Sequence, residues 1–318
     1  ISAPSVNDPM ILELVTESMK TVALEIGDLR ENSQRNLDDV KKQLKKAILT
    51  AINKAIIEQN EIEEVFFWII DRYCGISRMD YILNPDLKLS NHQKENLMNA
   101  VSLLKTSMPI QYVLGESEFM SLKFNLNSNV LIPRPETEEL VSWVIKDDNH
   151  NKTILDIGTG SGCIAIALAK FIKNSRVTAW DIDEKILSVA EKNASKNKVK
   201  VLFELKDITT IKSNNKFDLI ISNPPYICDS EKLGMQNNVL LFEPHLALFV
   251  NDNDPLFFYL KIIDFAKSNL NDNGKIFLEI NENQSIGVIK LLNNAGFYDI
   301  ELKKDFRLKN RMIKASFK

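Results

Sequence analysis

The stretch Thr153-Ile-Leu-Asp-Ile-Gly-Thr-Gly-Ser-Gly-Cys-Ile-Ala-Ile-Ala-Leu168 decides the fold. It reads as a short buried strand, a glycine-rich turn and the start of an apolar helix. Gly158, Gly160 and Gly162 let the backbone come close to a ligand, and the helix after them presents unpaired N–H groups. Asp156 stands at the strand end, where a carboxylate either accepts from a ligand amine or orders the loop. Outward from this turn, strand and helix alternate to the end of the chain. Strands are expected at 153–157, 176–181, 200–204, 218–222 and 275–280, with shorter ones near Ile300 and Met312. Helices are expected at about 163–173, 184–196, 255–270 and 284–295. Each helix follows a strand, which implies parallel βαβ units with the ligand site at the carboxyl ends of the strands.

Upstream the pattern changes. Residues 107–135 carry Pro109, Gly115, Pro133 and Pro135 around the alternating run Ser121-Leu-Lys-Phe-Asn-Leu126, which predicts a linker bearing a β-hairpin. Before it the chain reads as all-helical. Ile11, Val15, Val22, Ile26 and Leu29 recur at helical spacing, as do Leu37, Val40, Leu44 and Ile48 beyond a polar break at 31–34. Further helices are expected at about 61–73, 77–83 and 91–106, the last with Ser90 as N-cap. The expected organisation is an extra N-terminal helical segment (1–40), a helical recognition domain (41–106), the hairpin linker (107–135) and an α/β domain (136–318).

Composition narrows the function classes. Lys plus Arg is 40 and Asp plus Glu is 43, a net charge of −3, so no basic excess marks a nucleic-acid binder and no direct nucleic-acid contact is expected. Three scattered cysteines suit a reducing compartment. The longest apolar run, Val65-Phe-Phe-Trp-Ile-Ile70, is far shorter than the ~20 residues that span a bilayer. No basic or apolar leader is visible among the first ten residues. A cytoplasmic monomer is the expectation. His92, His150 and His245 are dispersed without metal-ligand spacing, so no metal is expected. Cys163 reads as a small buried filler, and Lys41, Lys42, Lys45 and Lys46 as a solvated helix face.

Two acids sharpen the reading of the glycine turn. The strand Arg176-Val-Thr-Ala-Trp-Asp181 ends in a carboxylate about twenty residues on, placed to take both hydroxyls of a ribose. The next strand is followed by Asp207-Ile208, an acid and an apolar residue suited to an adenine edge and face. The spacing is Gly-x-Gly-x-Gly, not the Gly-x-Gly-x-x-Gly of dinucleotide folds. With Asp156 before the first glycine, the set resembles the S-adenosylmethionine site of class I methyltransferases. That resemblance implies a Rossmann-like, mostly parallel seven-stranded sheet.

Asn223-Pro-Pro-Tyr226 directly follows the strand Phe217–Ser222. The two prolines fix φ and remove two N–H donors, which leaves carbonyls free to face a ligand. Tyr226 offers a flat surface and Asn223 an amide oxygen. An amide or aryl amine is a poor nucleophile because its lone pair is delocalised. If its two N–H groups donate to Asn223 Oδ1 and the Pro224 carbonyl, the nitrogen can pyramidalise toward a methyl donor. The tetrapeptide is similar to the signature of methyltransferases that act on planar nitrogens, DNA N6-adenine and protein glutamine N5 enzymes among them.

Pro109-Ile-Gln-Tyr-Val-Leu-Gly115, Leu131-Ile-Pro-Arg-Pro-Glu-Thr-Glu-Glu-Leu-Val141 and Val239-Leu-Leu-Phe-Glu-Pro-His-Leu-Ala-Leu248 choose within that class. Together they resemble the peptide chain release factor glutamine N5-methyltransferase family (HemK-type), over roughly residues 41–318. The resemblance implies an enzyme that methylates the glutamine of a Gly-Gly-Gln loop in a class 1 release factor, leaving S-adenosylhomocysteine. It implies that Asp156, Gly158, Thr159, Gly160, Ser161, Gly162, Asp181, Ile182, Asp207, Ile208 and Asn223 line the cofactor. Asn223, Pro224, Pro225 and Tyr226 would carry the chemistry, with Arg134 and Glu243 as further substrate-side residues. Arg134 reads equally as an anchor for the linker or a surface ion pair, and Glu243-Pro244 equally as a loop former.

The chain departs from the family in places. A Gly-Gly-x-Asp-Gly-Leu run is replaced by Val250-Asn-Asp-Asn-Asp-Pro-Leu256, and a glycine after Glu279-Ile280 by Asn281. Residues 1–40 match nothing in the family and are either an appended helix or a partner-binding element. Two rival readings stand beside this one: a DNA N6-adenine methyltransferase, which needs a basic groove and a place for a flipped base, and a cofactor-binding scaffold without activity.

Overall fold

The computed structural model describes residues 59–84, 89–147 and 152–318. The expected helices before residue 59, the lysine face at 41–46 and His150 lie outside the described residues. The chain forms two compact units. One holds the described residues up to Gly115 together with Met235–Phe242; the other holds Glu116–Gly234 and Glu243–Lys318.

The first unit is helical: α1 (Gln59–Cys74), α2 (Arg78–Leu83), α3 (Asn91–Lys105) and α4 (Ile110–Leu114), with a short helix at Asn237–Phe242. Ser77 and Ser90 start α2 and α3 with reciprocal capping boxes to Asp80 and Gln93, so both expected starts coincide with local side-chain chemistry. Val65, Phe66, Ile69 and Ile70 of α1 pack on Leu97, Ala100 and Val101 of α3, which is the helical spacing of the sequence made solid.

The second unit begins with the expected hairpin, β1 (Glu116–Phe119) paired antiparallel with β2 (Leu122–Asn125). Then follow α5 (Pro135–Lys146), β3 (Thr153–Ile157), α6 (Cys163–Phe171), β4 (Arg176–Asp181), α7 (Glu184–Asn197), β5 (Leu202–Leu205) and β6 (Phe217–Ser222). A two-residue pair, β7 (Ile227–Cys228) with β8 (Phe249–Val250), precedes α8 (Phe257–Asn269), β9 (Leu270–Glu279), α9 (Ser285–Ala295), β10 (Tyr298–Lys304) and β11 (Asn310–Ser316). Seven strands form one sheet in the order β10-β11-β9-β6-β3-β4-β5. All neighbours are parallel except the two pairs made by β11. The mostly parallel seven-stranded sheet expected from the sequence is present.

Alternation along the central strands builds two cores. Ile154, Leu219, Ile221 and Phe277 face α5 and α6, while Leu155, Ile220, Ile276 and Leu278 face α8 and α9. Each such fully buried aliphatic side chain contributes about 1.5–3 kcal/mol. Cys163 lies in the first core as a filler, and burial pushes its thiol up to about 12.

Three of the described helices were not expected: α4, α5 and the short one at Asn237–Phe242. Pro135, which reads as a breaker, stands at the first position of α5, where its missing N–H costs nothing and its φ suits the helix. Pro109 is the N-cap of α4, the residue before its first helical position, and Gly115 ends that helix in the left-handed region at φ 69°. The linker therefore carries a helix as well as its hairpin. The strand after α8 starts earlier than expected, at Leu270, because a bulge lets β9 pair with β6 on both sides of the irregularity.

Candidate active site

The carboxyl ends of β3, β4, β6 and β9 gather the residues of interest. Gly158, Gly160 and Gly162 all have positive φ, between 56° and 83°. At Gly158 and Gly160 no atom lies within 4 Å of where a Cβ would stand, so the turn leaves open space beside its backbone. Gly162 is different. A Cβ there would meet Ile166 Cδ1 at 2.9 Å and Ala190 Cβ at 3.1 Å, so this glycine lets α6 and α7 pack closely.

Asp156 is fully buried beneath the turn. Its Oδ2 accepts from the Thr159 hydroxyl at 2.7 Å and the Ala165 N–H at 3.2 Å, while Oδ1 has no partner among the described residues. Burial raises its pKa to about 7 against those two donors. Of the two roles the sequence left open, ordering the loop is therefore built into the fold. Asp181, at the end of β4, accepts from Gly160 N at 2.9 Å and Ile182 N at 2.8 Å. Its own burial holds its pKa above the usual carboxylate range. Ile182 beside it is about half exposed (51%), an apolar surface left open at the strand end. Asp207 Oδ1 accepts from Thr209 N and Oγ1 and so fixes the turn after β5, and Ile208 packs against the second core. Thr159 and Ser161 are buried; Asn193 of α7 donates to the Ser161 carbonyl at 2.9 Å. Asn193 also exchanges two bonds with the backbone of Asn125 and so ties the hairpin to the glycine turn. No periodicity marks this buried asparagine, and the sequence reading missed it.

These residues fit S-adenosylmethionine. The turn offers open space at two glycines, a carboxylate sits at the adjoining strand end, an apolar side chain is exposed beside it, and a buried acid keeps an unpaired oxygen.

The Asn223–Tyr226 loop is held by long-range contacts. Ser222, the last residue of β6, donates to the Ile157 carbonyl at 2.7 Å and locks the two central strand ends together. Pro224 is buried, whereas Asn223, Pro225 and Tyr226 are half-buried. Asn223 Nδ2 donates to Thr137 Oγ1 at 3.2 Å, Thr137 donates to Glu279 Oε2 at 2.6 Å, and the Tyr226 hydroxyl donates to Glu279 Oε1 at 3.0 Å. The Asn223 side-chain oxygen has no partner among the described residues. Glu279 is buried, which raises its pKa against the two hydroxyl donors. Burial beside this carboxylate also raises that of Tyr226. A cavity of about 400 Å³ opens beside Tyr226 and Glu279, lined further by Arg134, Arg307 and Arg311.

Arg134 and Glu243 meet each other. Arg134 Nη2 lies 2.6 Å from Glu243 Oε1, and Ile132 N reaches Oε2 at 3.4 Å. The Glu243 side chain is 1% exposed, and both contacts join it to the linker. Asn281, where the resemblance expects glycine, keeps an ordinary φ of −65° and donates to the Tyr226 carbonyl at 3.2 Å and to Glu231. Glu231 in turn accepts from Cys228 N at 2.7 Å. This departure braces the Asn223–Tyr226 loop. Thr137, Glu279, Asn281 and Glu231 were not singled out as site residues from the sequence. Glu279 had one usable signal, its place at the carboxyl end of a strand. Among the described residues no group of three or more His, Cys, Asp and Glu is placed to hold a metal ion, and no helix is long and apolar enough to cross a membrane.

Residues 41–115 match the family model described as the PrmC N-terminal domain, and residues 136–242 the one described as the methyltransferase small domain. A release factor glutamine methyltransferase of Flavobacterium psychrophilum is 47% identical over 83% of this chain and 95% of its own. The protein of that name from Bacteroides thetaiotaomicron is 37% identical over 82% and 95%. One from Fusobacterium nucleatum is 32% identical over 95% of this chain and 84% of its own. That last match leaves about 5% of 318 residues, roughly 16, outside it, so part of 1–40 has a counterpart in that relative. The turn after β3, the Asn-Pro-Pro-Tyr loop after β6 and these matches lead to one conclusion: the chain belongs to the release factor glutamine methyltransferase family and is an S-adenosylmethionine-dependent methyltransferase.

Proposed function

We propose that this protein methylates the side-chain nitrogen of the glutamine in the Gly-Gly-Gln loop of a class 1 peptide chain release factor. The relatives' names point to that substrate, and the observation that carries it here is the amide of Asn223. Its nitrogen is engaged by Thr137, so its oxygen is the atom left to accept.

Asp156, Gly158 to Gly162, Asp181, Ile182, Asp207, Ile208 and Asn223 would hold S-adenosylmethionine, which supplies an electrophilic methyl on a cationic sulfonium. The rest is done by the chain. Asn223 Oδ1 and the Pro224 carbonyl each accept one N–H of the substrate amide. Both bonds strengthen as positive charge develops on nitrogen, which favours the transition state over the ground state, and one of the two N–H protons then leaves to water, giving the neutral N-methyl amide. Holding the nitrogen in line contributes further by removing the entropy of alignment. Tyr226, fixed by Glu279, presents a flat face to the planar amide. The helical residues 41–106 are read as the part that recognises the release factor. A free release factor places the reaction where translation occurs, which we read as the cytoplasm.

The test offers labelled S-adenosylmethionine with a release factor, its Gly-Gly-Gln→Gly-Gly-Ala variant and duplex DNA. Label on the intact factor alone is expected. Label on DNA, or on the alanine variant, would overturn the substrate.

A further inference from the structure

The bonds joining Thr137, Glu279, Tyr226 and Asn223 run in a forced direction. An ionised carboxylate accepts and never donates. Glu279, 1% exposed, takes the Thr137 hydroxyl on one oxygen and the Tyr226 hydroxyl on the other. A threonine hydroxyl owns one proton, and Thr137 has given it to Glu279. Toward its next neighbour it can offer only a lone pair. Asn223 must therefore meet Thr137 with its NH₂ group, at 3.2 Å, and its oxygen must point the other way. The two ends of an amide are alike in shape, so packing alone does not choose between them. The Glu279 oxygen that takes the Thr137 proton does.

We propose that Glu279, acting through Thr137, is a positioning residue that sets the direction of the Asn223 amide and so turns its oxygen toward the reacting nitrogen. The inference rests on the glutamine reading above. With the amide reversed, the NH₂ of Asn223 would confront the NH₂ of the substrate, donor against donor. Burying a carboxylate is costly, and the directional task gives a reason for Glu279 to be a carboxylate at all. The sequence separations, 86 residues from Asn223 to Thr137 and 142 from Thr137 to Glu279, explain why no local motif displays the device.

Four variants of the full chain test it: Thr137→Ser, Thr137→Val, Glu279→Gln, and Thr137→Val with Glu279→Gln. Steady-state transfer to the release factor gives kcat and KM, and equilibrium dialysis gives the affinity for S-adenosylmethionine. Thr137→Ser keeps the hydroxyl and should hold kcat within about 3-fold. Thr137→Val and Glu279→Gln should each lower kcat by about 10²-fold, as loss of one preorganised charge-stabilising group does, with cofactor affinity within about 2-fold. The double variant should be no slower than the slower single, because both act through one amide. Wild-type kcat in Thr137→Val, multiplied losses in the double, or parallel loss of cofactor binding would overturn the proposal. Should Glu279→Gln fail to fold, the serine and valine pair decides alone. Wild-type enzyme that labels no release factor would instead overturn the glutamine reading and this inference with it.

Discussion

The two halves of the sheet's carboxyl edge are assembled in different ways. At β3 and β4 the shape comes from backbone: positive-φ glycines, and carboxylates accepting N–H groups from 1 to 21 residues away. At β6 and β9 it comes from side chains that find each other across 53 to 142 residues. The first half needs only a turn and two strand ends in register. The second exists only when α5, β6 and β9 are packed together. A glycine turn with its neighbouring acids can thus be encoded locally, while the amide of Asn223 is held by the tertiary fold.

That contrast breaks first at Asn223. Asn223→Ala should lower kcat by about 10²- to 10³-fold, as removal of one preorganised partner of the developing charge does, with a much smaller fall in cofactor affinity, because Asn223 is one of several residues proposed to hold the cofactor. Loss of cofactor binding in the same proportion would merge the two halves. On the other half, Gly162→Ala should destabilise the protein by about 2–4 kcal/mol in guanidinium unfolding. The new methyl requires a left-handed backbone and meets Ile166 at 2.9 Å. An unchanged midpoint would mean that α6 and α7 are free to separate.

Asp156 sharpens the comparison through pH. Between an unfolded pKa of about 3.9 and a folded value of about 7, the folded chain keeps a proton that the unfolded chain has lost. Stability should therefore fall as pH rises through that window, by at most about 1.4 kcal/mol per pH unit. Asp156→Asn does not titrate, so unfolding at pH 5 and pH 7 should show a smaller fall than in the wild type. Equal falls in both would remove Asp156 as the source. The smallest effect is expected at Asn281. Asn281→Gly deletes the bonds to the Tyr226 carbonyl and Glu231 and should lower kcat by about 5- to 10-fold, the equivalent of one ordinary hydrogen bond. A wild-type rate would show the loop to be held by its prolines alone.

The sequence by itself determined most of the sheet and the glycine turn with the acids beside it. The near-continuous burial of Thr153–Ile157 and Phe217–Ser222, and the glycine turn before α6, act within a few residues of themselves, so their pattern is visible along the chain. Capping at Ser90 is legible for the same reason. Proline misled where its position mattered more than its identity: Pro135 and Pro109 begin helices because only there does a missing N–H cost nothing. Arg134 and Glu243 stood out as residues without an assignable partner until the fold brought them together across 109 positions. The tertiary structure alone decided that Glu279, Thr137 and Asn223 share one line of hydrogen bonds. The direction of those bonds follows from a buried carboxyl group, and burial is a property of the packed molecule that no stretch of sequence carries by itself.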